Sequence, residues 1–147
     1  MASLGTINIY LAIRKQDDSS QIEDQLVLDG TDVSTFRFAK DLWERFQERP
    51  ARLVITDRRF GDDFDGLELV RKIRQRYQLP YIYLLMRSAL NQLDEIKEGL
   101  DAGVDDYLVR PHNPLQIRSR VLVAIRWLTY IDSITRNRAG AGRTRDQ

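Results

Sequence analysis

Five short apolar runs alternate along this chain with segments whose apolar residues recur every three or four positions. Residues 7–13, 33–38, 52–56, 81–86 and 107–109 have the length and apolar content of strands. Between them, Ile22, Leu26 and Val27, then Leu42, Trp43 and Phe46, fall at helical spacing, as do Leu67, Val70, Ile73 and Tyr77, and Leu93, Ile96 and Leu100. Asp17, Asp18, Ser19 and Ser20 offer N-caps for the first helix, while Gly30, Pro50 and Gly103 supply stops. A long last helix from Pro114 carries Ile117, Val121, Ile125, Leu128 and Ile131 on one face. Strands separated by helices pair in parallel and need cover on both faces. The predicted fold is therefore α/β, a doubly wound five-stranded parallel sheet with helices on both faces. Ligands meet such sheets beyond the carboxyl ends of the strands. That selects Ile13, Arg14, Asp57, Arg87, Ser88 and Arg110 for attention.

The 147 residues suit one domain, and 42% apolar content is enough for a sizeable core. The absence of cysteine excludes disulfides, thiolate metal sites and a cysteine nucleophile, and fits a reducing compartment. The apolar stretch at residues 7–13 is too short to cross a bilayer and follows no basic segment, so a cytoplasmic protein without membrane contact is expected. The net charge of +1 is uneven: residues 136–147 carry +3 and the remainder −2. We therefore expect a domain over residues 1–135 and a flexible basic tail or linker over 136–147. The slightly basic pI belongs to the tail and predicts no nucleic-acid contact by the domain.

The runs LVITD, DGLELVRKIR and EGLDAGVDDYLVRP, in this order and spacing, resemble the receiver domain of two-component response regulators over residues 6–130. The resemblance implies a strand order of 2-1-3-4-5. It implies a phosphorelay, in which Asp57 accepts a phosphoryl group from a sensor histidine kinase or phosphotransfer protein. It places the phosphoryl-sensing hydroxyl at Ser88 and the switching aromatic at Tyr107. The residue that contacts the phosphoryl oxygens falls at Arg110, where the family carries lysine, and Pro111 takes the position of a cis proline. The implied role is that of a signalling module and not an enzyme. Output runs through the face of the fourth helix, fifth strand and fifth helix, toward a homodimer partner or an output domain.

Two departures bear on the chemistry. The family holds Mg²⁺ with two acidic residues just after the first strand as well as the acceptor. By spacing to Asp57 those positions fall near Ile13 and Arg14, neither of them acidic. Asp57 with one backbone carbonyl is a poor Mg²⁺ site. Arg14 puts a fixed positive charge where the metal would sit. Two opposite unit charges about 4 Å apart attract by about 4 kcal/mol at an effective dielectric of 20. Arg14 is thus a candidate metal substitute paired with Asp57, or it extends into solvent; both placements stay open. The second departure, Arg110, keeps the lysine's charge and adds a planar fork able to grip a phosphate through two bonds. Arg58 and Arg59 add further positive charge at the crevice mouth.

Plainer readings stand beside these. Asp57 and Ser88 are also ordinary turn or capping residues, Tyr107 a half-buried strand aromatic, and Arg110 a surface arginine. His112 reads as exposed. Asp62, Asp63 and Asp65 lack the later glutamate of a calcium loop. Arg118, Arg120, Asp105 and Asp106 offer charge pairs to a partner. Three functions compete: a phosphorylated receiver, a degenerate receiver that acts as a phosphorylation-independent protein-interaction module, and an unrelated flavodoxin-like binding protein. The last needs a glycine-rich phosphate loop after the first strand, which residues 13–18 do not provide.

Overall fold

A computed structural model describes residues 6–145 apart from 15, 29, 90 and 91; the side chains of residues 16–19 and 139–145 lie outside the described set. Ten elements alternate along the chain: β1 (Ile7–Ala12), α1 (Gln16–Leu26), β2 (Thr31–Phe36), α2 (Ala39–Glu48), β3 (Leu53–Asp57), α3 (Gly66–Arg76), β4 (Tyr83–Ala89), α4 (Leu93–Ala102), β5 (Asp106–Arg110) and α5 (Pro114–Arg145). The strands form one parallel sheet in the order β2-β1-β3-β4-β5, so the doubly wound α/β expectation holds.

The period-2 pleat divides the core into two layers. Ile9, Leu11, Leu53, Ile55, Tyr83 and Leu85 face α1 and α5 with Ile22, Leu26, Val121 and Leu128. Tyr10, Ala12, Val54, Leu84, Met86 and Tyr107 face α2, α3 and α4 with Leu42, Phe46, Leu69 and Ile73. On this second face Trp43 and Phe46 are core residues, in a cluster of rings with Tyr10, Phe36 and Tyr77.

Several boundaries differ from expectation. α1 begins at Gln16, ahead of the residues predicted to cap it; the side chains of Asp17, Asp18 and Ser19 lie outside the described residues. β2 starts two residues early because its register is fixed by β1, which pairs Ile7 with Thr31. β4 runs on to Ala89 because β5 pairs alongside Ser88 and Ala89. Where a flexible tail is expected from residue 136, α5 continues to Arg145. Two glycines cost about 1 kcal/mol each in a helix interior, but no proline interrupts the segment. Helix α5 is fastened to the domain by Arg52, whose two terminal nitrogens donate to Asp132 at 2.7 and 2.8 Å while its Nε donates to the Tyr81 carbonyl.

At the amino end of β5 a second arginine closes the same rim of the sheet. Arg74 donates to the carbonyls of Gly103 and Ile82 and to Asp105, which also accepts from Leu84 N and from the Tyr81 hydroxyl. Burial, then the bond to Asp105, pushes the Tyr81 phenol up from 10.0 to about 12. A folded-state value above the unfolded one means this contribution to stability is intact below pH 10 and lost as pH rises through 12. Titration of tyrosine absorbance should show one phenol ionising near pH 12, and that component should vanish in Tyr81→Phe.

Candidate functional site

The register of β3 against β4 builds the centre of the crevice. Asp57, the last residue of β3, lies directly beside Arg87, and strands in a sheet are about 4.8 Å apart. Asp57 continues the alternation of Leu53 and Ile55, and Arg87 that of Tyr83 and Leu85, so both side chains project toward the α1 and α5 face. The result is a buried fork: Arg87 Nε donates to Asp57 Oδ1 at 2.5 Å and Nη2 to Oδ2 at 3.1 Å. Asp57 is 4% exposed and Arg87 2%. The Arg14 backbone N–H adds a third donor, at 2.8 Å from Oδ2. Charge-assisted bonds of this kind are about twice as strong as neutral ones, and a two-point fork also fixes orientation.

Of the two placements left open for Arg14, the side chain takes the exposed one, and Arg87 rather than Arg14 pairs with Asp57. The reason is parity. Ile9, Leu11 and Ile13 point toward α1 and α5, so Arg14 emerges on the other face. Its side chain is exposed, with Nη2 near Gly61, and only its main chain reaches the carboxylate. Arg87 belonged to the strand ends selected from the sequence, but its role there went unrecognised. The signal was present in its parity with Leu85, and it needed the register of β4 on β3 to be read.

The other predicted residues gather around this pair. Ser88 is buried and points away from Arg87, toward the α3 and α4 side. Among the described residues its hydroxyl makes only a 3.5 Å approach to the Ala89 carbonyl. Arg110 is exposed at the end of β5, and the bond from it to Pro111 is cis. Tyr107 is buried, its hydroxyl donating to the Glu95 carbonyl at 3.3 Å. Its ring packs so closely on Gly99 of α4 that a Cβ there would lie 1.6 Å from the hydroxyl oxygen. Burial pushes the Tyr107 phenol up, against a downward pull from Arg58. His112 is half-buried beside a second cavity of about 510 Å³, not exposed as expected. Asp105 and Asp106, the two acids offered to a partner, are paired within the domain by Arg74 and Arg120.

Asp57, Ser88, Arg110, Arg14, Arg58 and Arg59 line one cavity of about 470 Å³. The loop that roofs it is pinned by Asp65, whose side chain caps α3 at Glu68 N, and by Gly66. A Cβ on Gly66 would lie 2.1 Å from the Asp57 carbonyl oxygen, so only glycine fits where the loop passes the acceptor strand. The described residues contain no cluster of three acidic or histidine side chains able to hold a metal. Both Asp57 oxygens already face N–H donors, and a guanidinium stands beside them. Among the described residues this donor set does not fit Mg²⁺, which receiver domains generally bind.

Removing one member of a buried ion pair leaves the other uncompensated, at about 3–5 kcal/mol. Arg87→Leu should lower unfolding stability by that order in urea titrations. The double change Arg87→Leu with Asp57→Leu should recover part of the loss.

Comparison with known proteins agrees with the fold. The response regulator receiver domain family matches residues 15–122. The chain is 32% identical over 101 residues to the phosphate regulon transcriptional regulatory protein PhoB of Rhizobium meliloti, covering 69% of this chain and 44% of that one. It is 30% identical over 118 residues to the transcriptional regulatory protein AfsQ1 of Streptomyces coelicolor, covering 79% and 51%. The chain thus spans about half the length of these curated relatives. The receiver domain of NtrX from Brucella abortus superposes with a TM-score of 0.72 at 20% identity, covering 80% of this chain and 98% of that one. NtrX in complex with ADP gives 0.78 at 18% identity, covering 88% and 29%. No helix among the described residues is long and apolar enough to cross a membrane. With five parallel strands in this order and a family match over most of its length, the chain belongs to the receiver domains of two-component response regulators.

Proposed function

We propose that this receiver signals through Asp57 as its phospho-acceptor, with a sensor histidine kinase or phosphotransfer protein as donor. The observation that carries the reading is the buried Asp57 carboxylate at the end of β3, opening on a cavity that Ser88 and Arg110 share. In the transfer, an Asp57 oxygen attacks phosphorus as the donor's bond to phosphorus breaks. Each carboxylate oxygen accepts in about two directions, and among the described residues Oδ1 accepts a single bond, from Arg87 Nε. Oδ1 therefore keeps a lone pair for attack while the fork holds the carboxylate in place. Phosphoryl transfer needs charge neutralised on the moving oxygens. Arg110 supplies this from the rim, the Ser88 hydroxyl donates beside it, and Arg87 balances the carboxylate in the role that was expected of Arg14. Tyr107 and Pro111 carry the change to α4 and α5, because the Tyr107 ring is seated against Gly99. The partner reached through that face, a second copy or an output domain, belongs to the same proposal.

A second reading has one observation in its favour. The Arg87 fork occupies the carboxylate as a modification would, which suits a degenerate receiver acting as a phosphorylation-independent interaction module. The regulators it resembles give that reading no support.

Incubation with acetyl phosphate, followed by intact mass spectrometry, separates the two. We expect a gain of one phosphoryl group in the natural chain, none in Asp57→Asn, and little change when Mg²⁺ is chelated. No gain, either from acetyl phosphate or from a phosphorylated histidine kinase, would overturn the first reading and leave the second.

A further inference from the structure

The cavity beside Asp57 has a neighbour on the other face of the sheet. This second cavity, of about 510 Å³, lies between α1 and the loop that leads from β5 into α5. Ile22 of α1 and Ile117 of α5, each 2% exposed, give it an apolar lining, which Pro111 and Pro114 extend. Its basic lining comes from Arg87, Arg110 and His112, and among the described residues no aspartate or glutamate lines it. Arg110 forms no ion pair among those residues. Arg87 is 2% exposed and points to this face because it continues the alternation of Tyr83 and Leu85. The residue that holds Asp57 is therefore also part of a cavity away from the acceptor crevice.

We infer that this second cavity binds a small organic carboxylate, an anion with a compact apolar body such as an aromatic or branched aliphatic acid. The ligand class follows from the lining. Small-molecule sites run to about 300–1,000 Å³ and are mostly apolar, with a few polar groups that fix orientation. Guanidinium groups set among isoleucine and proline select an anion that brings apolar surface of its own. Inorganic phosphate has none, and its higher charge costs more to take out of water against such a surface. A guanidinium grips a carboxylate through two parallel bonds, the geometry that Arg87 shows with Asp57. The ligand's carboxylate meets the basic lining and its body packs on Ile22 and Ile117. Asp57 and the ligand then share the positive charge of Arg87, so each weakens the hold on the other, and such linkage is reciprocal. The inference stands whether or not Asp57 is phosphorylated.

Isothermal titration calorimetry of the whole chain with benzoate, benzamide and inorganic phosphate tests it. Benzoate should bind saturably; benzamide has the same shape without the charge and should bind about tenfold more weakly. Gln21 is an exposed residue of α1 in the lining, so Gln21→Trp keeps the fold, obstructs the cavity and should abolish saturable binding. Arg110 is exposed as well, and Arg110→Met should weaken benzoate about tenfold. Asp57→Asn removes the competing charge and should tighten benzoate about fivefold. That variant has no acceptor carboxylate, which separates this site from acceptor chemistry. No saturation at millimolar concentrations, benzamide or phosphate binding as tightly as benzoate, or binding indifferent to Gln21→Trp would overturn the inference. An affinity unchanged by Asp57→Asn would overturn the shared use of Arg87.

Discussion

The register of β3 on β4 places a carboxylate and a guanidinium side by side inside the sheet, and the rest of the crevice is arranged around that pair. Buried charges are tolerated when they are paired and hydrogen-bonded. Asp57 and Arg87 meet both conditions, with three donors on two oxygens. Sliding β4 by one residue would turn Arg87 into the opposite core layer and put Ser88 in its place. The apolar alternation of Tyr83 and Leu85 against Leu84 and Met86 holds the register that prevents this.

Arginines do the fastening elsewhere in the domain as well. Arg52 ties the far half of α5 to the start of β4, and Arg74 ties α3 to the turn before β5. Each makes several bonds from one planar group, which a lysine cannot do. Both lie at the amino ends of strands, away from the crevice, where the task is rigidity. At the carboxyl ends the arginines line a cavity, and there the same group serves recognition. The sheet thus separates a structural rim from a chemical one, as open α/β sheets do.

The seating of Tyr107 on Gly99 joins the crevice to α4. Glycine at that position lets a strand aromatic enter a helix face that any Cβ would block. The ring and α4 are therefore in direct steric contact, with no chain of polar contacts needed between them. Arg58, which lines the cavity, pulls the Tyr107 phenol down against the upward push of burial.

The sequence alone determined the element order, the two-layer α/β architecture and the strand ends that face function, because periodicity of apolar residues is a local property. The family resemblance carried by the LVITD, DGLELVRKIR and EGLDAGVDDYLVRP runs brought Asp57, Ser88, Tyr107, Arg110 and Pro111 into consideration, and all five lie in or beside the crevice. Which arginine meets Asp57 was not legible, since the apolar runs end just before both Arg14 and Arg87. Only pairing between strands distant in sequence decides which side chain shares a face with the carboxylate. The extent of α5 was missed for a related reason: glycines weaken a helix locally, while a clamp such as Arg52 on Asp132 is a tertiary contact across 80 residues. Local pattern fixed what the pieces are; register and parity across the sheet decided which charges meet.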